Sequence, residues 1–386
     1  MIYDSTSNPT HPTKRTKANV VVIGAGIQGL SAAYHLAKIG IPETVVVEKE
    51  TIGAGSSSRS ACMLMLQRET KEKIELSKYS YSKYMEFEQE TGVNPGFHKI
   101  GFLSVVTERV RSVALGRVKL RKSNGVKTEI LNPDEIAELV PIVNLEDIVA
   151  GIYGPDDGVI DPTAIMDGYA SKARELGASV ETGTKAVGIQ VKNEKVVGVD
   201  TTSGFIEAPW VVNAAGAAAI EVGSWVSCQL PIKNTRRSIY ITAPILDLSE
   251  DAPMVEDAEM EWYYRKEGKG VLMGMGKEES NVASDSMNLE FLPVLRKFAS
   301  HRAPVLGLVD ICDGWSGIRP LTPDLNPILG PIEGLEGFVN SCGWGGEGIM
   351  HAPAGGFIIA NYIAGKKNHL FDLGAFSLSR FPRHSS

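Results

Sequence analysis

Three glycines near the start of the chain have a spacing that suits contact with phosphate groups. Gly24, Gly26 and Gly29 form a G-x-G-x-x-G pattern. In such a pattern the first glycine permits a tight turn, the second lets the backbone approach a pyrophosphate, and the third lets a helix pack closely on a strand. The N-terminus of that helix favours negative charge. The segment predicts a dinucleotide-binding turn, and a simple glycine-rich turn is the alternative for the motif taken alone.

An acidic residue follows this turn at the offset expected for a ribose contact. Glu48 ends the apolar run of residues 44–47. It lies near the offset of about 20 residues at which a carboxylate accepts a hydrogen bond from a ribose 2′-hydroxyl. A carboxylate there disfavours a 2′-phosphate, which argues against NADP. Together with the glycines, Glu48 favours FAD or NAD as the cofactor.

The elements that must position these residues follow the pattern of one βαβ unit. Residues 18–23 are a short, β-branched run, typical of a strand that is buried on both faces. Residues 29–39 repeat small and apolar side chains at helical spacing, and Gly40 stands where a helix C-cap belongs. Residues 44–48 predict a second buried strand.

The rest of the chain mixes helical segments with short strands. The patterns predict helices at residues 70–92, 133–139, 161–177 and 353–363, strands at 101–106, 179–181, 186–191, 196–200, 210–213 and 337–340, and a hairpin of residues 262–265 and 271–274. Buried βα segments thus occur at the start, middle and end, with antiparallel-looking strands between them.

We therefore predict an α/β fold with two domains that are interleaved in sequence. A discontinuous Rossmann-type cofactor domain comprises residues 18–90, 150–225 and 315–386. A second, mainly antiparallel β (α+β) domain for the substrate comprises residues 91–149 and 226–314. Residues 1–17, rich in Ser, Thr and Pro, are expected to form a flexible tail.

Composition restricts the partners and the compartment. The chain has 386 residues and a net charge of −7, so its surface has no basic field for nucleic acid. Cys62, Cys228, Cys312 and Cys342 are far apart and form no C-x-x-C pair, which favours a reducing, cytoplasmic location. The scattered histidines predict no metal site. We expect no membrane-spanning helix, and peripheral docking on a membrane stays open.

Four further segments carry a family resemblance. They are residues 157–162, 211–216, 315–324 and 343–354. In this order and spacing, and together with the glycine motif, they resemble the D-amino-acid oxidase superfamily of FAD-dependent oxidoreductases over residues 18–365. The resemblance is to its branch of sarcosine oxidase β subunits, glycine oxidases and dye-linked L-proline dehydrogenases. It implies that the cofactor is FAD and that the Rossmann-type domain binds it.

The resemblance also implies which residues contact FAD. The glycine turn with the Glu48 region would hold the ADP half, two serines would meet the phosphates or the ribityl chain, Val187 would contact the adenine side through its backbone, and the last loop would lie against the flavin ring. The implied cofactor-binding residues are Gly24, Ala25, Gly26, Ile27, Gln28, Gly29, Glu48, Lys49, Ser57, Ser58, Val187, Ala215, Gly216, Gly345, Gly346, Glu347, Gly348 and Ile349. Monomeric sarcosine oxidases attach flavin through a cysteine near the segment that matches residues 317–319. No cysteine is there, so we expect non-covalent FAD.

Two residues are implied for the substrate. Arg319 would bind the substrate carboxylate, because a guanidinium can bind both oxygens at once. A structural arginine that pairs with Asp324 or a backbone carbonyl is the alternative. Tyr263 would face the substrate cavity, and Tyr264 stays open as the inward residue instead.

Several departures from the family pattern favour a dehydrogenase over an oxidase. Relatives usually have paired glycines where this chain has residues 62–65, so the space above the flavin is crowded or the local path differs. The oxygen-activating lysine of the monomeric sarcosine oxidases is missing from residues 270–274, and Glu347 replaces a common histidine. A quinone, a dye or a partner protein is therefore the expected electron acceptor, with oxygen as a further candidate.

The expected reaction is FAD-dependent oxidation of a small amine or amino acid. A hydride from the carbon next to the amine nitrogen would pass to flavin N5 and leave an imine. One alternative is a flavin-dependent 2-hydroxy acid dehydrogenase, and another is an electron-relay subunit of a hetero-oligomeric dehydrogenase. Homo- and hetero-oligomers are both open.

Overall fold

The structure, a computed structural model, describes residues 15–245, 248–276 and 286–382. Its helices are α1 Ile27–Lys38, α2 Lys71–Met85, α3 Phe87–Thr91, α4 Arg111–Ser123, α5 Pro133–Leu139, α6 Pro162–Glu175, α7 Ala219–Ser224, α8 Leu292–Arg302, α9 Pro304–Leu308 and α10 Ala352–Ile363. Within the described ranges, none of the helices is both long enough and apolar enough to cross a membrane.

The strands divide into two large sheets and a small two-stranded ribbon. In chain order they are β1 Val20–Ile23, β2 Thr44–Val47, β3 Met63–Leu64, β4 Phe102–Thr107, β5 Glu129–Leu131, β6 Ile148–Gly154, β7 Gly158–Val159, β8 Ser179–Glu181, β9 Ala186–Lys192, β10 Lys195–Thr201, β11 Gly204–Glu207, β12 Trp210–Asn213, β13 Lys233–Thr242, β14 Met254–Asp257, β15 Trp262–Glu267, β16 Gly270–Met275, β17 Ile311–Leu321, β18 Ile328–Ile332 and β19 Leu335–Cys342.

The first sheet is built around β1. Its strand order is β11-β10-β19-β12-β1-β2-β8, with β9 beside β10 and β18 beside β19. Strands β12 and β2 flank β1 in parallel, so that Val22 lies opposite Val212 and Val46. Every residue of β1 and β2 is buried, as expected for short β-branched strands in a parallel sheet. Helix α1 ends just before Gly40, whose φ of +96° suits the end of a helix. The predicted βαβ unit is confirmed.

The second sheet has the order β17-β13-β16-β15-β14-β4-β6-β5. Its neighbouring strands are antiparallel except for the pair β14 and β4. The predicted hairpin is β15 with β16, in which Tyr263 lies opposite Gly274. One face of this sheet packs on α5, α8 and α9, and the other carries an apolar cluster that includes Met63 from the segment after β2. The predicted fold class, Rossmann-type with a second, mainly antiparallel domain, is confirmed.

Two strands cross the predicted domain boundaries. The prediction places residues 150–154 and 315–321 in the FAD-binding domain, yet β6 and β17 both pair within the second sheet. The division of the chain into domains otherwise stays a prediction.

The predicted tail lies mostly outside the described residues, which begin at Arg15. Residues 15–17 are attached to the fold. Arg15 donates to the carbonyl of Gly177 at 3.1 Å, the Thr16 carbonyl accepts from the N–H of Glu207 at 2.9 Å, and Lys17 forms an ion pair with the Glu207 carboxylate. Backbone pairing along β11 thus extends the fold into the segment predicted to be flexible.

Candidate active site

The glycine turn after β1 is too tightly packed for side chains at two positions. A Cβ on Gly24, whose φ is +107°, would lie 2.6 Å from the carbonyl oxygen of Ala214. A Cβ on Gly29 would lie 2.0 Å from the carbonyl oxygen of Gly24. Only glycine can occupy either position without moving the backbone. The close approach of turn, helix and strand is the cradle that a pyrophosphate group needs.

The N-terminus of α1 is suited to an anion. Its first turn carries no acidic side chain, and Gly26 provides no side-chain cap. The N–H of Ile27 donates to Ser57 Oγ at 3.1 Å, and a Cβ on Gly26 would lie 3.3 Å from the same oxygen. The first N–H groups of a helix have no partner within the helix and favour negative charge. Gly26, Ile27 and Ser57 therefore meet where the phosphates of FAD fit.

Glu48 lies beside this turn and is held by backbone groups. Its Oε2 accepts from the N–H of Ala25 at 2.9 Å, and its Oε1 accepts from the N–H of Glu50 at 3.0 Å. The carboxylate is thus fixed at the end of β2, where a ribose would meet it. Lys49 points outward and forms an ion pair with Glu50 at 2.9 Å.

Val187, the residue predicted to contact the adenine side, lies on β9, whose start is close to the end of β2. The N–H of Thr184 donates to the carbonyl of Glu48 at 2.8 Å, which brings the start of β9 close to the end of β2. Val187 follows on β9, with its side chain 48% exposed. A contact with the cofactor through its backbone remains a prediction.

The segments after β12 and before β3 complete the turn. A Cβ on Gly24 would lie 3.2 Å from the Cα of Ala215, so Ala215 borders the glycine turn, and Gly216 follows it in sequence with φ +58°. Ser58 donates its hydroxyl to the carbonyl of Gly53 at 2.9 Å. That hydrogen bond stabilises the loop that carries Ser57.

The last predicted loop, residues 345–349, is tied to the first helix. Gln28 donates through Nε2 to the carbonyl of Gly348 at 2.7 Å, and Tyr84 donates its hydroxyl to the carbonyl of Ile349. Gly345 has φ +57°, a conformation that favours glycine. The structure thus brings the glycine turn and the predicted flavin loop together, although they are far apart in sequence.

Arg319 of β17 lies directly against this loop. A Cβ on Gly346 would stand 2.9 Å from Arg319 Cζ, so the guanidinium packs on the bare backbone of the loop. Within the described part of the chain, Arg319 has no hydrogen-bond or ion-pair partner. Asp324, the structural partner considered above, instead accepts two hydrogen bonds from Arg380 at 2.7 and 3.0 Å. The geometry thus places a half-buried, unpaired guanidinium beside the predicted flavin loop.

The two tyrosines of β15 point to opposite faces of the second sheet. Tyr264 packs with Trp262 on the face covered by helices, whereas Tyr263 belongs to the inner cluster with Met63. Burial raises the pKa of Tyr263, and the Arg319 guanidinium opposes that rise. Tyr263, and not Tyr264, is therefore on the face that Arg319 shares.

Glu347 anchors the loop through a buried charge cluster. Its Oε1 accepts from Arg68 and from Lys73 Nζ, the latter at 3.0 Å. His351 Nδ1 lies 3.7 Å from its Oε2, and His351 Nε2 lies 2.8 Å from Ser77 Oγ. Burial lowers the pKa of His351 well below its usual value, so this imidazole is neutral. Sequence reasoning missed Arg68 and Lys73, because basic residues at the start of a helix are usually exposed.

Residues 62–65, the segment that departs from the family pattern, contribute a side chain to the inner face of the second sheet. Cys62 has φ +61°, and the following strand β3 pairs with β7. Met63 then packs in the inner cluster with Tyr263, and Trp315 packs against that cluster. Crowding of the space above the flavin and a different local path both stay predictions for this segment.

The architecture is that of a dinucleotide-dependent oxidoreductase. It combines a cofactor-binding sheet with a second, mainly antiparallel sheet. A family model described as "FAD dependent oxidoreductase" (DAO) matches residues 19–362. The chain belongs to this family, and its cofactor is FAD. The glycine cradle, the open end of α1 and the fixed Glu48 carboxylate fit that cofactor.

Known proteins similar to this chain include amine dehydrogenases and an oxidase subunit. Mitochondrial dimethylglycine dehydrogenase of Mus musculus is 31% identical over 384 residues, covering 91% of this chain and 43% of that protein. Sarcosine oxidase subunit beta of an Arthrobacter species is 28% identical over 388 residues, covering 96% and 93%. The crystal structure of L-proline dehydrogenase from P. horikoshii has a TM-score of 0.85 and 30% identity, covering 92% and 96%. The chain spans less than half the length of the mouse protein.

Proposed function

We propose that this chain oxidises a small amine or amino acid of the sarcosine, proline, glycine or D-amino acid type, converting the amine to an imine. When bound, FAD supplies the hydride acceptor at flavin N5. The observation that carries the proposal is Arg319, a half-buried guanidinium that packs on Gly346 and has no bonded partner among the described residues. An unpaired buried charge is costly, which favours a site completed by an anionic ligand.

The chain's own residues would bind, orient and desolvate the substrate. Arg319 would hold both oxygens of a carboxylate. Tyr263, coupled electrostatically to Arg319, would add a hydroxyl donor on the same face. The apolar side chains of Met63, Leu272 and Trp315 would exclude water from the reacting carbon. These relations support a substrate that combines a carboxylate with an adjacent apolar part.

The names of the relatives support the same class. They refer to dimethylglycine, sarcosine and proline, each of which carries a carboxylate and an amine on the same carbon. For this chain, the particular amine is part of the proposal.

Anaerobic reduction of the bound flavin tests the proposal. The purified protein would be mixed with sarcosine, L-proline, glycine, D-amino acids and 2-hydroxy acids, and the loss of the absorbance of oxidised flavin would be followed. We expect reduction by one of the amines. Reduction by a hydroxy acid alone would show a 2-hydroxy acid dehydrogenase. Reduction by no compound of the panel, in a protein that dithionite reduces, would support an electron-relay subunit.

The FAD is proposed to be non-covalent. The segment of β17 that carries Arg319 has no cysteine between Gly314 and Leu321. Acid precipitation should therefore release the flavin into the supernatant. Yellow colour that stays with the precipitate would contradict this.

The electron acceptor, the partners and the compartment are also part of the proposal. Leu272, on the strand where the monomeric sarcosine oxidases carry the oxygen-activating lysine, is fully buried and apolar, which favours a quinone, a dye or a partner protein over oxygen. The similarity to a subunit of sarcosine oxidase supports a hetero-oligomer. The described cysteines are free, which is consistent with a cytoplasmic location.

A further inference from the structure

An acidic side chain stands on the inner face of the second sheet, in the same row as Tyr263. Glu256 of β14 lies opposite Tyr263 of β15, which lies opposite Gly274 of β16. The row continues to Ile239 of β13 and Trp315 of β17. Residues that are paired across a sheet point to the same face. Glu256 therefore shares the face that carries Tyr263 and, further along β17, Arg319.

Tyr263 leans away from this carboxyl group. A Cβ on Gly274 would lie 2.3 Å from the Tyr263 hydroxyl oxygen, so the tyrosine ring extends across the bare backbone of β16. The hydroxyl thus points toward the strands that carry the arginines. Glu256 thus stands on one side of Tyr263, and Arg237 of β13 and Arg319 of β17 are on strands to the other side.

The Glu256 carboxyl group has no bonded partner within the described ranges. The nearest cations are engaged elsewhere. Arg68 pairs with Glu347 and with Glu69, and Arg121 donates to the carbonyls of Arg68 and Gln67. An acid placed inside a protein without a counterion is costly unless a ligand supplies one.

Burial and the neighbouring charges together set the pKa of Glu256. Burial raises the pKa of Glu256 to about 7, and the negative charges of Glu69 and Glu261 add to that rise. Arg68 and Arg121 oppose it. The side chain nevertheless keeps some contact with solvent and is not sealed in the core.

We propose that Glu256 binds the positively charged amine of the substrate, so that a zwitterion lies across the sheet with its carboxylate toward Arg319 and its amine toward Glu256. This inference rests on the proposed function and adds the group that selects an amine. Once deprotonated, Glu256 can also accept the ammonium proton. That proton transfer leaves the neutral amine from which hydride can depart.

The test compares an amine with an isostere in which oxygen replaces the nitrogen. The pairs are sarcosine with methoxyacetate and L-proline with tetrahydrofuran-2-carboxylate. Amine affinity would be obtained from the concentration dependence of anaerobic flavin reduction, and isostere affinity from the perturbation of the flavin spectrum. Glu256→Gln should weaken amine binding at least about tenfold, as expected for a hydrogen bond to a charged group, and leave isostere binding within about twofold.

The pH dependence of amine binding provides a second readout. A purely structural role of Glu256 would not produce it. Below about pH 7 the wild-type Glu256 is protonated and resembles glutamine, so the affinity difference between wild type and Glu256→Gln should shrink at about pH 6 and widen at about pH 8. Glu129→Gln, on the far strand β5 of the same sheet, is the matched control and should change neither affinity. If Glu256→Gln fails to bind FAD, Glu256→Asp replaces it and should weaken amine binding alone, with a smaller loss.

The outcomes separate this inference from the proposed function. If an amine reduces the wild-type flavin and Glu256→Gln weakens amine and isostere equally, or neither, the role of Glu256 is overturned and the proposed function stands. If no amine reduces the wild type, both are overturned.

Discussion

A guanidinium without a bonded partner points to a ligand more directly than a motif can. Sequence comparison can place an arginine beside the proline of a conserved-looking segment, but it cannot tell whether an acid of the same chain neutralises it. The acid considered from sequence, Asp324, is paired with Arg380, so Arg319 stays available. Glu256 and Arg68 gave no recognisable signal, because isolated charged residues are usually exposed.

Replacing Arg319 should separate ligand binding from folding. Arg319→Ala should keep its FAD and lose several kcal/mol of affinity for a carboxylate inhibitor, because a charge-assisted bidentate contact exceeds the ~1 kcal/mol of an ordinary hydrogen bond. Arg319→Lys should recover only part, since an ammonium lacks the planar fork. Flavin content, melting temperature and inhibitor affinity would be measured on the same preparations.

Arg380→Ala is the matched control for that experiment. It removes a guanidinium that binds Asp324, so it should lower the melting temperature and leave inhibitor affinity unchanged. Unchanged inhibitor affinity in a fully flavinated Arg319→Ala protein would remove Arg319 from the substrate site.

Asp157 should make stability depend on pH. It is fully buried, its Oδ1 accepts from the N–H of Leu66 at 2.7 Å, and its Oδ2 has no partner. Burial raises its pKa to about 7, above the value of an unfolded chain, so the folded state retains the proton. The resulting stability is fully present below about pH 4 and is lost as pH rises through about 7.

Asp157→Asn keeps an acceptor at this position and cannot ionise. Its melting temperature relative to wild type should therefore rise from about pH 5 to about pH 7 and level off above that. Asp156→Asn, which changes a neighbour that pairs with Lys99 near the surface, should show no such trend. A pH-independent difference for Asp157→Asn would show that the carboxyl group does not titrate in this range.

At the scale of elements, residue patterns predict the helices and strands that are stabilised by interactions between residues close in sequence. β1, α1 and β2 follow from β-branched runs separated by a glycine turn, and α5 is fixed by a capping box of Asn132 and Glu135. Helix α4 was not predicted, because its only buried residues are Val118 and Arg121, which form no apolar stripe.

Strand pairing could not be predicted in the same way. Residues 150–154 of β6 and 315–321 of β17 are predicted to belong to the cofactor domain, but both strands pair within the second sheet. Partners in a sheet are chosen by contacts between distant segments, and a local pattern of apolar residues does not contain that information. Of the two strands, β17 carries Arg319, so the position of that residue in the second sheet also had to come from the structure.

The glycine turn should no longer bind FAD when Gly26 is replaced by a larger residue. In Gly26→Val, the Cβ would lie 3.3 Å from Ser57 Oγ, and its methyl groups would occupy space at the end of α1 that the pyrophosphate needs. We expect protein with little or no FAD, measured as the ratio of flavin to protein absorbance. Gly116→Val, at an open position of α4, is the control and should keep its FAD. Full flavin content in Gly26→Val would show that the motif is only a turn.

At the scale of the whole molecule, the charges near the flavin loop are balanced within the protein. Arg68 and Lys73 both bind the Glu347 carboxylate, and Arg68 also pairs with Glu69, so two cations face two acids. The inner face of β16 presents Leu272 and Gly274. Reduction of oxygen creates negative charge, which a nearby unpaired cation would stabilise. In the proposed function Arg319 binds the substrate carboxylate, and Arg68 and Lys73 are already paired with acids, so none of these three cations is free to promote that step.

The reduced enzyme should therefore react slowly with oxygen and quickly with an artificial acceptor. After anaerobic reduction by its amine, the protein would be mixed in a stopped-flow instrument with air-saturated buffer or with a quinone or dye, and the return of the absorbance of oxidised flavin would be followed. Reoxidation by the quinone or dye should be at least about tenfold faster, corresponding to a barrier lower by about 1.4 kcal/mol. Glu347→Gln supplies the internal check, because it removes one of the two negative charges that pair with Arg68 and Lys73 and should speed the reaction with oxygen. If wild-type reoxidation in air already matches the rate of turnover, the chain is an oxidase, and the balanced charge cluster does not govern its choice of acceptor.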